Sequence, residues 1–234
     1  MTDMDKPLRV IARVRNDFPT KFGLPRQSGL AESLRSLIVF EKAFRVPEAL
    51  RGLEAFSHIW LIWGFHQARR DAWSPTVRPP KLGGNTRMGV FATRSPFRPN
   101  ALGLSCVRLE KIVNLGAAGR ALLVSGADMM DGTPVYDVKP YLPYADCRPE
   151  AVGGFADAHV SDAVPVDFPA ALLARVPEDR RAALLEALRQ DPRPAYQADD
   201  TRVYGMPYAG LDIRFCVQDG VLRVCDVAED AKKE

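Results

Sequence analysis

"AFSHIWLIWGFHQ", residues 55–67, is the most apolar run in the chain. It is long for a strand and short for a bundle helix, but Ile59, Trp60, Ile62, Trp63 and Phe65 are residue types that favour β structure. Being apolar on both faces, it is predicted to be a central strand with a neighbour on each side. Upstream, Leu8, Val10, Ala12 and Val14 alternate with Arg9, Ile11 and Arg13, the period of a half-buried strand. The loop NDFPTKFGLPRQSGL (16–30), broken by Pro19, Gly23, Pro25 and Gly29, leads to a second strand candidate, LIVFEKAF (37–44). PEALRGL (47–53) reads as a short helix or turn. Downstream, strands are predicted at 88–93, 102–112, 121–125 and 135–138. Several short strands between turn residues, with few helices, point to a closed or nearly closed barrel.

The pattern changes after about residue 145. RPEAVGGFADAHVSDAVPVDF (148–168) is rich in Ala, Gly, Asp and Pro and reads as a linker. PEDRRAALLEALRQ (177–190) is predicted as an amphipathic helix, with Pro177 at its first turn, Glu178 and Asp179 at the positive dipole end, and Asp191–Pro192 as its stop. In IRFCVQDGVLRVCDV (213–227), Asp219–Gly220 is a hairpin turn between alternating strands, and the terminal AEDAKKE is expected to fray. The fold class is therefore mainly β: a single-sheet β-barrel over 7–147, a linker over 148–168, and a small α+β unit over 169–234.

Composition bounds function more loosely. With 234 residues, 47% apolar and 26% charged, the chain is an ordinary globular protein. No run is long and apolar enough for a membrane span, and the N-terminus lacks a secretory h-region, so a cytoplasmic location is expected. Cys106, Cys147, Cys216 and Cys225 are scattered, without a metal-ligand or disulfide pattern, and are expected as small hydrophobes in or near the core. A net charge of +3 announces no partner by itself. Its distribution says more: Arg69, Arg70, Arg78, Lys81, Arg87, Arg94 and Arg98 face the single acid Asp71. Such a stretch is either a site for phosphate or carboxylate groups or a solvated edge neutralised from elsewhere.

No dinucleotide fingerprint, P-loop, nucleophile elbow or HExxH is present. His58, His66 and His159 are the only histidines, and His58 and His66 would lie about 26 Å apart on one strand, too far to share a metal. No metal site is expected. A reaction that needs neither a protein nucleophile nor a metal fits better, such as group transfer from an already activated donor, where positioning is the main contribution.

Specific strings then narrow the field. GLPRQ (23–27), RGLEAFSHIW (51–60), FHQ (65–67), TVRPPKLGGNTRMGVFATRSPFRPNALGLS (76–105) and DGTPVYDVKPYLPY (131–144) closely resemble the TsaA-like family. QDPRPAY (190–196) resembles the C-terminal signature of its bacterial tRNA methyltransferase members. The resemblance implies a β-barrel in place of a Rossmann fold, S-adenosyl-L-methionine as methyl donor, and a homodimer with cofactor pockets at or near the subunit interface. It implies methylation of N6 of threonylcarbamoyladenosine at position 37 of tRNA. The family's cofactor-contact motifs fall on Pro25, Arg26, Gln27, His66, Gln67, Arg94, Leu104, Asp131, Gly132, Thr133 and Pro134.

Some of these residues also have a plainer reading: His66 and Leu104 as core, Arg26 as surface, Asp131–Gly132 as a simple hairpin. Asp131 and His66 are the two candidates for accepting the N6 proton. Arg78, Lys81, Arg87 and Arg98 are expected to meet the anticodon loop, whose single-stranded bases suit cationic and aromatic contacts. Arg94, at the end of the 88–93 strand, is assigned to the cofactor. Arg98, beyond the Pro96–Pro99 bend, is assigned to the substrate or the second subunit. Arg193, Tyr196, Arg202 and Arg214 of the C-terminal unit either add tRNA backbone contacts or simply pack on the barrel. Two other functions remain open: methylation of another substrate on the same fold, and a non-catalytic module binding S-adenosyl-L-methionine or RNA.

Overall fold

A computed structural model of the protein describes residues 7–67, 73–79, 82, 86–159, 163–193 and 199–230. In chain order, the first part contains β1 (Ala12–Arg15), β2 (Arg35–Phe40), β3 (His58–Gly64), β4 (Thr76–Val77), β5 (Met88–Gly89), β6 (Leu102–Asn114), β7 (Arg120–Ser125), β8 (Pro134–Pro140) and the single turn α1 (Pro143–Asp146). The second contains β9 (Val166–Asp167), α2 (Ala170–Leu173), α3 (Glu178–Arg189), β10 (Tyr204–Tyr208), β11 (Leu211–Gln218) and β12 (Val221–Glu229).

Six strands close into a barrel in the order β1-β2-β7-β6-β3-β8, every pair antiparallel. Alternation drives the closure: Ala12 and Val14 point inward while Arg13 and Arg15 stay exposed, and Ile59, Leu61 and Trp63 of β3 meet Val107 and Leu109 of β6 in the interior. The 55–67 run is thus a strand of seven residues with β6 and β8 as neighbours. Its second apolar face, Trp60 and Ile62, is half-buried on the outside of the barrel, where Trp60 packs against Tyr141 at 5.8 Å between ring centroids.

Antiparallel closure has a topological result. The C-terminal ends of β1, β3 and β7 and the N-terminal ends of β2, β6 and β8 share one rim. The connections 16–34, 65–101 and 126–133 therefore emerge together. Residues from distant parts of the sequence are gathered there without any of them lying in a strand interior.

Some expectations change. Residues 88–93 do not form a strand: β5 is a two-residue ladder with β4, and Val90–Ala92 is a 3₁₀ turn. Val90 is buried and its amide donates to the Pro75 carbonyl at 3.0 Å, while the Thr93 hydroxyl donates back to the Val90 carbonyl at 2.9 Å. Such local side-chain bonds compete with a ladder. Arg94 accordingly sits on a loop, not at a strand end. The 37–44 candidate stops at Phe40, and Lys42–Phe44 turns as 3₁₀. Cys147 and Cys225 are exposed, against the expected core placement, while Cys106 and Cys216 are half-buried.

The second core is built by α3 on the sheet β10-β11-β12-β9. Ala183, Leu184, Ala187 and Leu188 of α3 are buried against it. Asp219 and Gly220 both have positive φ, the twisted two-residue turn that a hairpin requires. Val164, Val166 and Phe168 also pack on this core, so the stretch before α2 is part of it. So, unexpectedly, is the rim connection 16–34: Phe18, Ala31 and Leu34 are buried in the second core, joined by Phe22 and Leu24.

Candidate functional site

Among the described residues, Pro25, Arg26, Gln27, His66, Gln67, Arg78, Arg87, Arg94, Arg98, Asp131, Gly132 and Thr133 lie on the three rim connections, while Leu104 and Pro134 lie at the starts of β6 and β8. Lys81 lies outside the described residues, as do Tyr196 and part of the QDPRPAY segment.

The 16–34 connection is clamped onto the 126–133 connection by two glycines. Gly29 and Gly126 have φ of 82° and 75°, and the Gly29 amide donates to the Gly126 carbonyl at 2.9 Å. A Cβ on Gly126 would come within 3.3 Å of the Gly29 Cα, so the backbones meet directly. This docking brings buried Pro25 and half-buried Gln27 to the rim. The Gln27 Oε1 accepts a short hydrogen bond from the Arg94 guanidinium, which comes from the 65–101 connection. Arg94 and Gln27, assigned to one ligand from sequence, are in contact. Arg26 faces the other way: its guanidinium donates to the Asp191 and Arg193 carbonyls at 3.1 and 3.3 Å.

A residue not singled out from sequence completes this group. Asp128 accepts from the Ser105 hydroxyl at 2.5 Å, and the Ser105 oxygen accepts from the Trp63 indole N–H at 2.9 Å. Ser105 and Trp63 are buried inside the barrel mouth. The chain Trp63–Ser105–Asp128 thus runs from the interior to the rim. Burial pushes the Asp128 carboxyl above the usual carboxylate range, with the Ser105 hydrogen bond, its own and the Ser28 backbone amides, and the Arg94 charge pulling it partly back. The indole rests on Gly103, where a Cβ would sit 2.2 Å from the ring. The only sequence signal for Asp128 was a second acid in the loop GADMMDGTP, three residues before a recognised motif.

The Asp131 turn is tied elsewhere. Its Oδ2 accepts from Arg15 at 3.2 Å and its Oδ1 from the Asn16 amide at 3.2 Å. The amides of Asp131, Gly132 and Thr133 are donated to the carbonyls of Phe18, Val14 and Met130. Thr133 and Pro134 are buried. The turn, with φ of 78° at Gly132, therefore braces β1 and the start of 16–34. His66 and Gln67 follow the end of β3, half-buried and exposed, where Phe65 bonds the Ala101 carbonyl at 3.0 Å. Leu104 lies on the outer face of β6 and is 56% exposed, so it is not barrel core.

The cationic stretch divides as its partners do. Arg94 reaches across to Gln27, whereas Arg98 folds back to the Thr93 carbonyl at 3.3 Å. Arg78 and Arg87 are exposed, and Arg87 bonds the Thr76 hydroxyl at 3.0 Å. Beside them Trp73 and Phe91, half and three-quarters exposed, stack at 6.3 Å with an interplanar angle of 24°.

A closed antiparallel barrel gathers polar and charged side chains on one rim, and comparison with known proteins gives its class: the tRNA methyltransferases. Family profiles place the chain within it. Residues 13–147 match the tRNA-methyltransferase O N-terminal domain, and residues 161–230 match the TrmO C-terminal domain. The tRNA (adenine(37)-N6)-methyltransferase of Escherichia coli K12 is 40% identical over 223 residues, covering 92% of this chain and 94% of that one. A Pseudomonas aeruginosa protein described as an S-adenosylmethionine-dependent methyltransferase is 44% identical over 227 residues, covering 93% and 96%. The crystal structure of TrmO from Pseudomonas aeruginosa superposes with a TM-score of 0.76 at 36% identity, covering 97% of this chain and all of that one. The chain belongs to the tRNA-methyltransferase O family.

Proposed function

We propose that this protein transfers a methyl group from S-adenosyl-L-methionine to N6 of adenosine 37 in tRNA, with the base carrying a threonylcarbamoyl group. The supporting observation is the convergence of Gln27, Arg94 and Asp128 at the rim, beside exposed arginines and a stacked aromatic pair.

The residues present fit such a donor. A guanidinium suits the amino-acid carboxylate, and the mostly buried Asp128 carboxylate suits a cationic neighbour. Gln27, Gln67 and His66 add hydrogen-bonding groups for a nucleoside, and Leu104 an apolar surface. Pro25, Arg26 and the Asp131–Pro134 turn hold the connections that carry them. Bound there, the donor supplies an electrophilic methyl group. What the chain supplies is alignment of the acceptor nitrogen, exclusion of water and a place for the N6 proton. Asp131, whose carboxylate oxygens accept from Arg15 and the Asn16 amide, and His66 are the two candidates for taking that proton.

On the RNA side, Trp73 and Phe91 offer faces on which splayed anticodon-loop bases can stack, and Arg78, Arg87 and Arg98 meet phosphates or the threonyl carboxylate. The same reading takes the protein as a homodimer, with Leu104 on the outer face of the barrel available to a second copy, and as cytoplasmic, where tRNA is modified. Among the described residues no helix is long and apolar enough to cross a membrane.

The test incubates purified protein with labelled S-adenosyl-L-methionine and tRNA with or without the threonylcarbamoyl group, followed by nucleoside mass spectrometry. Methylated threonylcarbamoyladenosine is expected only with the modified tRNA. Equal transfer to unmodified adenosine would remove the substrate assignment. Cofactor binding without any product would leave a binding module.

A further inference from the structure

The connection that carries Pro25, Arg26 and Gln27 belongs to the barrel by chain order and to the C-terminal unit by packing. Phe18 packs in a tilted contact on Tyr208 at 4.9 Å, and Phe22 packs against both Tyr204 and Phe215, 6.3 Å from each, while those two rings stack on one another at 5.6 Å. At Gly23, with φ of 86°, a Cβ would fall 2.0 Å from the Met206 sulfur. Polar fasteners flank this apolar seam. The Glu186 carboxylate of α3 takes both the amide and the hydroxyl of Ser33, at 2.8 and 2.7 Å. Asp17 pairs with Arg180 of α3 at 2.7 Å, and its carbonyl accepts the Ala209 amide at 2.9 Å.

The third fastener lies in the QDPR segment at the end of α3. Asp191 adopts φ of 45°, and its carboxylate is held in a fork by Arg193, with Nε and NH2 each at 2.9 Å. The pair is largely buried, with side-chain exposures of 17% and 25%. This kink turns the carbonyls of Asp191 and Arg193 toward Arg26. Consecutive residues therefore point to opposite sides: Arg26 is held by the C-terminal unit, and Gln27 is presented to Arg94.

We infer that the C-terminal unit acts on the cofactor: through the Arg193–Asp191 fork, Arg26 and the Glu186–Ser33 clamp, it holds the Pro25–Gln27 segment in its binding geometry. Arg26 is then a positioning residue whose guanidinium serves the fold, not the ligand. The inference rests on the reading of the rim as a site for S-adenosyl-L-methionine. Its energetic basis is preorganisation: a loop already ordered before binding loses less conformational freedom when the ligand arrives.

The experiment uses the full chain and two variants that replace no candidate cofactor residue, Glu186→Ala and Arg193→Met. Cofactor affinity is measured by calorimetry, affinity for an anticodon stem-loop at fixed salt, and methyl transfer across cofactor concentrations. Each variant should bind the cofactor roughly tenfold more weakly, the effect of losing about one charge-assisted hydrogen bond's worth of ordering. The Michaelis constant for the cofactor should rise with kcat nearly kept, because saturating ligand re-orders the loop. Arg26→Met should match Arg193→Met and add nothing to it in the double variant, and Arg26→Lys, which can still reach one carbonyl, should recover part of the loss. Glu186→Gln, which keeps one acceptor oxygen, provides the same reading if the alanine variant folds poorly. Unchanged cofactor affinity in the folded Glu186 and Arg193 variants would overturn the inference, most plainly if stem-loop affinity fell instead. Failure of the unsubstituted protein to bind the cofactor would instead overturn the reading of the rim.

Discussion

Replacing Gly103 by alanine tests the barrel mouth at one methyl group. The new Cβ would stand 2.2, 2.4 and 2.7 Å from Cε2, Cζ2 and Cδ2 of Trp63. The indole is 6% exposed and packed at 4.4 Å on Phe65, so it is not a flexible tip that can swing away. Ordinary contact at about 3.5 Å or more requires the ring to retreat by roughly 1.3 Å or more. The same retreat carries the indole nitrogen out of reach of the Ser105 hydroxyl, now 2.9 Å away. Overpacking of this kind costs about 1–3 kcal/mol, and the lost buried hydrogen bond about 1 kcal/mol more. For a chain of this size each kcal/mol moves the melting midpoint by about 2–4 °C, so a fall of about 5–15 °C is expected in calorimetry. Trp63→Phe in the same background supplies the control, because the smaller ring leaves space for the methyl group. The alanine should then cost less than about 1 kcal/mol, a coupling visible in a double-mutant cycle. A Gly103→Ala protein melting within about 2 °C of its parent would show that the indole does not lie against β6 as described.

Asp128→Asn tests the buried carboxyl. Burial favours its protonated form in the folded chain, so the native state binds that proton more tightly than the unfolded state. The stability this contributes is present at low pH and is lost as pH rises from the ordinary value of 3.8 through the raised one. The asparagine protein should therefore gain more in melting midpoint over its parent at pH 7.5 than at pH 4, and an equal or smaller gain would refute the burial argument. Arg94→Ala should weaken S-adenosyl-L-methionine in calorimetry with little change in stem-loop affinity. Arg78→Ala or Arg87→Ala should do the reverse and flatten the salt dependence of RNA binding by about 0.7 in log–log slope; equal effects on both ligands would erase the division. Trp73→Ala and Phe91→Ala should each weaken stem-loop binding by about 1–3 kcal/mol in filter-binding titrations, if single bases stack there. Affinity unchanged in both would remove the aromatic pair from the RNA surface.

What could be read from the sequence followed the reach of the forces involved. The inward alternation of Ala12 and Val14, the 55–67 run, α3 and the Asp219–Gly220 turn are set by neighbours a few residues away, and each was legible. β10 was not, because Pro207 speaks against a strand; it is tolerated because β10 lies at the edge of its sheet. The 88–93 error arose where Thr93 bonds back to the chain and Phe91 turns out to solvent, 73% exposed. In the site, recognisable strings located Gln27 and Arg94, but nothing local told that they touch. Asp128 acquires its character from Ser105, 23 positions earlier, across the barrel mouth. Phe18, Phe22, Leu24 and Leu34 follow no helical or strand period, so their destination in the second core left no trace in the pattern.

That shared core also sets an order of events during synthesis. Residues 18–34 leave the ribosome early, but the surfaces that bury them, α3 and the hairpins β10–β12, come more than 140 residues later. Until then Phe18, Phe22, Leu24 and Leu34 are an apolar flap without a shelter, a substrate for holding chaperones and a hazard for association. The barrel strands can pair beforehand, but the loop closure that joins residues 17–34 to the C-terminal sheet is highly non-local and belongs to the slow end of folding. A nascent chain released too soon would carry a formed barrel with its flap unmoored. Completion of the C-terminal sheet is the step that turns that barrel into a finished protein.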